Sequence, residues 1–240
     1  MSENGSATQE HAGRVREMFA TIAGRYDLLN HLLSLNIDRK WRKVVVARVR
    51  EKVSAGESLI LDVACGTGDL SLALFEINGA RVVGTDFCRP MLTIAAGKVP
   101  AEVKLIEGDA LSLPFKEGTF DAVTIAFGLR NLAGVESGLK ELRRILKPNG
   151  WLAVLEFSRP SNPVLRPVFS FYFRKILPLL GGVISGSHGA YSYLPASVSR
   201  FPDQQQLGCL MEQAGLDQVS FENLSGGIAA LHIGRRPESS

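Results

Sequence analysis

The 240-residue sequence has no apolar run long enough to cross a membrane. Its most apolar stretch, residues 162–185, is interrupted by Arg166, Arg174 and Lys175 and by three prolines, whereas a spanning helix needs about 20 consecutive apolar residues. The first ten residues, "MSENGSATQE", are polar and lack the apolar centre of a secretion signal. We therefore expect a protein that is not membrane-spanning or secreted.

The sequence also has few cysteines and a small net charge. Cys65, Cys88 and Cys209 form an odd set without CxxC or metal-type spacing, which is typical of a reducing compartment. The net charge is only +3, whereas nucleic-acid-binding domains concentrate lysine and arginine more strongly on one face. The composition favours a cytoplasmic protein that binds neither nucleic acid nor a metal ion.

What the sequence does contain, after Gly56, is an alternation of short apolar runs with helical stretches. The helical stretches are residues 68–78, 88–98 and 134–146, and the apolar runs are "SLILDVA", "ARVVGTD", "EVKLIEGD", "FDAVTIAF", "GWLAVLEF", "LDQVSFENL" and "GGIAALHIGRR". Such alternation predicts βαβ units, and the continuous Val/Ile/Leu runs are typical of strands covered on both faces. The expected fold is α/β, with a seven-stranded, mostly parallel sheet and helices on both faces.

The chain is expected to form one domain over residues 11–236. We divide it into a disordered tail (1–10), N-terminal helices (11–55), a ligand-binding core (56–158), a cap rich in Pro, Gly, Ser and aromatic residues (159–200), and a closing helix with two strands (201–236). Gly24 and Asn36 are predicted to break the N-terminal helices. In "LKPNG", Pro148 is predicted to end a helix, and Gly150 to permit a positive φ in the turn that follows.

The stretch "SLILDVACGTGDLSLAL" places a buried strand, a glycine turn and a helix start in direct succession. Gly66 and Gly68, with Thr67 between them, permit a tight turn and let a ligand lie against bare backbone. The helix beyond offers unpaired N–H groups and a partial positive charge. Because ligands of open α/β sheets lie beyond the carboxyl ends of the strands, we expect this turn to bind an anionic ligand group.

Further residues narrow the ligand. Ser71 occupies the third glycine position of G-x-G-x-x-G, which argues against a dinucleotide. Asp86 ends the next strand, eighteen residues after Gly68, where an acid accepts hydrogen bonds from ribose hydroxyls. Asp109 or the backbone of Ala110 is placed to meet an adenine edge. A ribose, an adenine and a small charged tail without a pyrophosphate describe S-adenosylmethionine.

Asp62 lies inside the first predicted strand, where a bare carboxylate is costly to bury. The N–H groups of the turn or the ammonium of the methionine moiety are its expected partners. The alternative for Asp62 and Asp86 is a role in capping strand ends, and Asp109 could equally be an ordinary loop acid.

The segments "LDVACGTGDLSLAL", "VVGTDF" and "EGDALSLPF" resemble the class I S-adenosylmethionine-dependent methyltransferases, with Ala64 in place of that family's first glycine. Over about Val15 to Arg236, the segments "VREMFATIAGRYDLLNHLLSLNIDRKWRK", "AFGLRNL", "ELRRILKPNGWLAVLEFSRP" and "YSYLPASVSRFP" resemble the UbiE/MenG/Coq5 family of quinone C-methyltransferases. The resemblance implies a Rossmann-like class I methyltransferase fold and S-adenosyl-L-methionine as cofactor. It also implies C-methylation of a polyprenylated quinol, either demethylmenaquinol or the benzoquinol of the ubiquinone path.

Methyl transfer to a quinol carbon needs an aligned ring and a group that removes or stabilises the loss of the phenolic proton. Three segments hold candidates: "FGLRN" (Arg130, Asn131), "SHGAYSYLP" (His188, Tyr191, Tyr193) and "RYDLLN" (Tyr26, Asp27, Asn30). We expect the catalytic role chiefly of Arg130, Asn131, His188 and Tyr191. Arg130 could instead cap the next helix, His188 could be structural, and the "RYDLLN" residues could serve packing rather than closure over the cofactor.

The cap is dense in apolar and aromatic residues flanked by basic ones, which suits a prenylated substrate and a transient contact with the inner face of a membrane. A helix packed on the sheet is the alternative, and "DRKWRK" could likewise be an ordinary solvated helix face. The absence of a [DN]-P-P-[FYW] motif after the fourth strand counts against base N-methylation. A methyltransferase of another phenol or lipid, a non-catalytic S-adenosylmethionine-binding protein, and a homodimer all stay open.

Overall fold

A computed structural model describes residues 3–27, 34, 36–53, 56–160, 167 and 188–238, although the side chains of residues 3–9, 11–12, 25 and 188–192 are outside this description. Seven strands form one sheet in the order β3-β2-β1-β4-β5-β7-β6. The strands are β1 (Ser58–Val63), β2 (Ala80–Asp86), β3 (Lys104–Glu107), β4 (Phe120–Ala126), β5 (Leu146–Phe157), β6 (Asp217–Leu224) and β7 (Ala229–Arg235).

The sheet is parallel from β3 to β5, and β7 is antiparallel to both β5 and β6. The seven-stranded, mostly parallel sheet is therefore confirmed. The order of the parallel strands reverses between β1 and β4, since β2 and β3 lie on one side and β5 on the other. A crevice forms outside the carboxyl ends of strands at such a point.

Helices cover both faces of the sheet, as expected. They are α1 (Glu3–Ile22), α2 (Ile37–Lys52), α3 (Asp69–Phe75), α4 (Arg89–Ala96), α5 (Val135–Ile145), α6 (His188–Arg200) and α7 (Gln204–Gln213). One core packs α5 and α7 against alternate strand residues such as Leu61 and Val123. The other core packs α2 and α3 against the strand residues that point to the opposite face of the sheet, such as Ile60 and Ala122.

Two local features differ from the expectations. Helix α1 begins at Glu3, inside the predicted disordered tail, because the tail has no proline and several good helix formers that let the helix continue. In "LKPNG", α5 does end before Pro148, but Asn149 has the positive φ (64°) and Gly150 does not. Gly150 instead permits close packing, since an added Cβ would lie 2.9 Å from the carbonyl oxygen of Lys147.

The predicted cap, residues 159–200, falls mostly outside the described residues. Its last part is α6, which contains Pro195 and ends at Arg200. None of the helices in the described part of the chain combines the length and the apolar character that a membrane crossing requires.

Candidate cofactor and active site

The turn after β1 is built from residues in the left-handed conformation. Ala64, Gly66 and Gly68 have φ values of 52°, 55° and 85°. This conformation costs a non-glycine residue roughly 1 kcal/mol, which Ala64 bears in place of the glycine of related motifs. An added Cβ at Gly68 would lie 2.8 Å from Val99 Cγ1. It would also lie 3.2 Å from the Cβ of Ala95 in α4. The second glycine is therefore required both by the backbone and by the residues packed behind it.

Asp86, at the carboxyl end of β2, holds this turn in place. Its Oδ2 accepts a hydrogen bond from the N–H of Gly66 at 2.9 Å, and its Oδ1 accepts one from the N–H of Cys88 at 2.8 Å. Burial raises the pKa of Asp86, although these backbone hydrogen bonds oppose the shift. Each oxygen retains lone-pair capacity, so the carboxylate is able to accept ribose hydroxyls as well.

Asp62 has other partners than those expected from the sequence. It is 1% exposed, and it accepts hydrogen bonds from Ser71 Oγ at 2.6 Å and from Thr124 Oγ1 at 3.0 Å. The hydroxyls of α3 and β4, rather than the N–H groups of the turn, thus compensate its burial. Burial raises the pKa of Asp62 to about 6, against the effect of both hydroxyls. Ser71, at the third glycine position, therefore serves as a hydrogen-bond donor to Asp62.

A cleft of about 750 Å³, part of it open to solvent, lies beyond the carboxyl ends of β1, β2 and β4. It brings together six of the residues proposed from the sequence: Tyr26, Gly66, Asp86, Asp109, Ala110 and Asn131. The other lining residues are mainly apolar: Phe19, Ala64, Phe87, Met91, Gly108, Leu111, Ala126, Phe127, Gly128, Leu132 and Ala133. The largely apolar lining suits a small organic ligand with a few polar anchors.

Asp109 is exposed and also stabilises its own loop. Its Oδ1 accepts a hydrogen bond from the N–H of Leu111 at 2.9 Å, and its carbonyl accepts one from the N–H of Ser112 at the same distance. Ala110 beside it is buried. The loop is thus held in one conformation at the edge of the cleft, with both candidate adenine contacts among the lining residues.

Thr67 and Gly68 belong to the turn but do not line the cleft. The hydroxyl of Thr67, a buried residue, donates to Asp27 Oδ1. Lys98 Nζ in turn lies 2.6 Å from Asp27 Oδ2 and 2.7 Å from Asp69 Oδ1. Sequence reasoning missed Lys98, because a single lysine after a helix carries no recognisable signal.

Arg130 lies in a 3₁₀ turn, Leu129–Asn131, that follows β4. Its side chain is 6% exposed and its guanidinium is 2.9 Å from Glu156 Oε2, while its own N–H donates to Glu156 Oε1 at 3.1 Å. Arg130 is therefore a buried ion-paired residue, neither a surface cap nor a residue that lines the cleft. Glu156 was missed, although an acid at the end of the apolar run "GWLAVLEF" was a usable signal.

Asn131 does line the cleft. Its Nδ2 donates to the carbonyl of Phe127 at 3.1 Å, which leaves Oδ1 buried and without a hydrogen-bond partner in the described part of the protein. Phe127 itself has a positive φ of 57°, an unusual conformation for a bulky residue. The backbone of this turn is held in a specific geometry beside an unsatisfied acceptor.

The remaining candidates are only partly described. His188 and Tyr191 begin α6, but their side chains, like all of Asn30, lie outside the described residues. Tyr193 is described, and burial raises its pKa, with smaller effects from the nearby charges of Arg130 and Glu156. Tyr193 therefore lies near that ion pair. Within the described residues no cluster of His, Cys, Asp and Glu could hold a metal ion.

Comparison with known proteins agrees with this geometry. The model of the ubiE/COQ5 methyltransferase family matches residues 7–236. A protein of Thermus thermophilus named demethylmenaquinone methyltransferase is 52% identical, over 92% of this chain and 100% of its own length. One of Geotalea uraniireducens, named ubiquinone/menaquinone biosynthesis C-methyltransferase UbiE, is 42% identical over 95% and 98% of the two chains.

Solved structures are similar in fold. A S-adenosylmethionine-dependent methyltransferase of Thermotoga maritima, described as a possible histamine N-methyltransferase, has a TM-score of 0.66 at 20% identity, over 92% of this chain and 98% of the other. Phosphoethanolamine N-methyltransferase 2 of Haemonchus contortus, solved with S-adenosyl-L-methionine, has a TM-score of 0.62 at 12% identity. The latter match covers 82% of this chain and 52% of the other. The expected class I methyltransferase fold is confirmed.

The buried Asp62 makes stability depend on pH. Because its pKa rises from 3.8 unfolded to about 6 folded, the folded protein binds more protons between these values. Its contribution is fully present below pH 4 and is lost as pH rises through 6, by about 3 kcal/mol. Urea unfolding gives the free energy of unfolding of the wild type and of Asp62→Asn at each pH. We expect the difference, wild type minus variant, to fall by this amount between pH 4 and 7. Parallel pH profiles would contradict the assignment, and Ser71→Ala should move the step to higher pH.

The buried pair of Arg130 and Glu156 yields a second prediction. Glu156→Gln leaves a buried guanidinium without its counter-ion, so the free energy of unfolding should fall by about 3–5 kcal/mol. The double variant Arg130→Met, Glu156→Gln buries no uncompensated charge and should recover most of that loss. Urea unfolding of the wild type, both single variants and the double variant measures the coupling. Additive losses would show that the two residues are not coupled.

Proposed function

Because this chain belongs to the ubiE/COQ5 methyltransferase family and is a S-adenosylmethionine-dependent C-methyltransferase of the quinone-biosynthesis type, we propose that its methyl acceptor is demethylmenaquinol. The benzoquinol of the ubiquinone path is the second candidate. The relative named demethylmenaquinone methyltransferase is 52% identical to this chain, and the relative named for both ubiquinone and menaquinone biosynthesis is 42% identical. These names support the two substrates in that order. The observation that carries the proposal is a single cleft that joins the glycine turn and Asp86 to the apolar wall beside Asn131.

The residues of the cleft fit the cofactor. Asp86 has lone pairs left for the ribose, Gly66 exposes bare backbone, and the Asp109–Ala110 loop offers an edge for the adenine. When bound, S-adenosylmethionine supplies an electrophilic methyl group on a sulfonium. The task of the protein is to align the nucleophilic carbon with that methyl and to exclude water.

The turn after β4 is suited to orient the quinol. Asn131 lines the cleft, and we expect its side-chain amide to hydrogen-bond the quinol hydroxyl and so fix the ring there. The buried Arg130–Glu156 pair holds the backbone that presents Asn131, because Glu156 also accepts a hydrogen bond from the N–H of Arg130. The proton acceptor itself stays a prediction from the sequence, with His188 and Tyr191 as its candidates.

The acceptor can be tested directly. Purified protein with radiolabelled S-adenosylmethionine should transfer label to reduced demethylmenaquinone but not to the oxidised quinone, because only the reduced ring is an electron-rich nucleophile. Asp86→Ala should lower the affinity for the cofactor in calorimetry, because it releases the turn at Gly66. Label in other phenols or lipids only would favour the broader methyltransferase alternative. Tight cofactor binding without transfer to any quinol would favour a non-catalytic binding protein.

We extend the proposal to a transient contact with the inner face of a membrane, where a prenylated quinol resides. The outward face of α2 carries three exposed cations, Arg39, Lys40 and Lys43, within five residues. Exposed cations attract anionic headgroups at about 1 kcal/mol each. The proposal thus places the protein in the cytoplasm, with its α2 face toward the bilayer surface.

Vesicle flotation tests this contact. The protein should float with vesicles that contain about 30% phosphatidylglycerol more than with neutral phosphatidylcholine vesicles, and less at high salt. Replacing Arg39, Lys40 and Lys43 by glutamate should abolish the difference. The matched control replaces Arg81, Lys104 and Lys140, exposed cations outside α2. Equal flotation of both triple variants would contradict a role for α2.

A further inference from the structure

One wall of the cleft comes from outside the sheet. Phe19 and Tyr26, from α1 and the residues after it, line the cleft, and their rings meet edge to face at 5.9 Å. This N-terminal wall packs on α4 through a small apolar cluster that includes the buried residues Ala23, Cys88 and Met91. Val15 and Ile22 of α1 are buried as well.

The residue after Tyr26 provides a second anchor. Asp27 accepts a hydrogen bond from the Thr67 hydroxyl with one oxygen, and from Lys98 Nζ at 2.6 Å with the other. Lys98 also lies 2.7 Å from Asp69 Oδ1 and 3.3 Å from Thr67 Oγ1. A single ammonium therefore joins the N-terminal wall to the glycine turn and to the first residue of α3.

The electrostatics of this cluster favour a closed arrangement. The side chains of Lys98, Asp27 and Asp69 are only 26%, 31% and 22% exposed, so salt screens their attraction less than that of surface pairs. Burial tends to lower the pKa of Lys98, but the hydrogen bonds with Asp27 and Asp69 outweigh it, and the pKa is raised. The ammonium stays charged and bridges the two carboxylates, of which Asp69 also lies 3.3 Å from the guanidinium of Arg42.

The same cluster fixes the position of Tyr26. A Cβ added at Gly66 would lie 3.9 Å from Tyr26 Cε1, which places the tyrosine ring directly against the turn. Gly66 is also the residue whose N–H is held by Asp86. The distance between the ring and the turn therefore determines how much room a ligand has at this end of the cleft.

We propose that Lys98 and Asp27 are positioning residues for the methyl donor, because they hold Tyr26 against the glycine turn and so set the width of the cleft there. The inference rests on the proposed function only in that S-adenosylmethionine occupies this cleft. Neither residue is among those that line it. Their effect on the donor is therefore transmitted through Tyr26 and Thr67.

Calorimetry with S-adenosylmethionine tests the proposal. Lys98→Met should raise Kd and KM for the donor about tenfold and leave kcat within about twofold, because the reacting atoms are not touched. Lys98→Arg, which keeps the charge, should restore most of the affinity. The double variant Asp27→Asn, Lys98→Met should bind more tightly than Lys98→Met, since it no longer leaves the Asp27 carboxylate without its cation, whereas Asp69 keeps Arg42. The matched control is Lys104→Met, an exposed lysine at the start of β3.

A Kd for folded Lys98→Met within twofold of that for Lys104→Met would overturn the proposal. If Lys98→Met does not fold, Asp27→Asn decides by the same measurement, because Lys98 then keeps Asp69 as partner. A purely structural role would lower the melting temperature of the variants without changing donor affinity. The experiment measures donor binding and not methyl transfer. If the protein does not methylate the quinol, the Kd values of the variants can still be compared, so a failure of the proposed function is distinguishable from a failure of this proposal.

Discussion

The hydrogen bond between the Asp86 carboxylate and the N–H of Gly66 is the contact on which the site depends. It ties the end of β2 to the turn after β1, 20 residues earlier in the chain. The turn can approach this closely because Gly66 has a positive φ and no side chain. A buried carboxylate needs such donors, so one interaction both satisfies the acid and shapes the cleft.

Around this contact the fold buries further charges, and each is compensated in a different way. Asp62 is held by two hydroxyls and keeps a raised pKa. Glu156 forms an ion pair with Arg130 and accepts hydrogen bonds from backbone N–H groups. Removing one partner of such a pair costs more than never having buried it. The turns at the ends of β1 and β4 are thereby held in fixed positions on either side of the cleft.

The N-terminal wall completes the cleft from a segment that contributes nothing to the sheet. The ionic cluster around Lys98 connects it to the turn that Asp86 already holds. The affinity for the donor is therefore coupled to charges that do not touch it.

The sequence by itself determined the strands, the glycine turn and the acid at the end of β2, because periodicity and glycine act over a few residues. Motif resemblance added the family and the cofactor. Only the tertiary structure decided that Ser71 serves Asp62, that Arg130 is paired with Glu156, and that Lys98 meets an acid 71 residues away. The free energy of an ion pair depends on distance and burial in the folded protein, and no local pattern records either quantity.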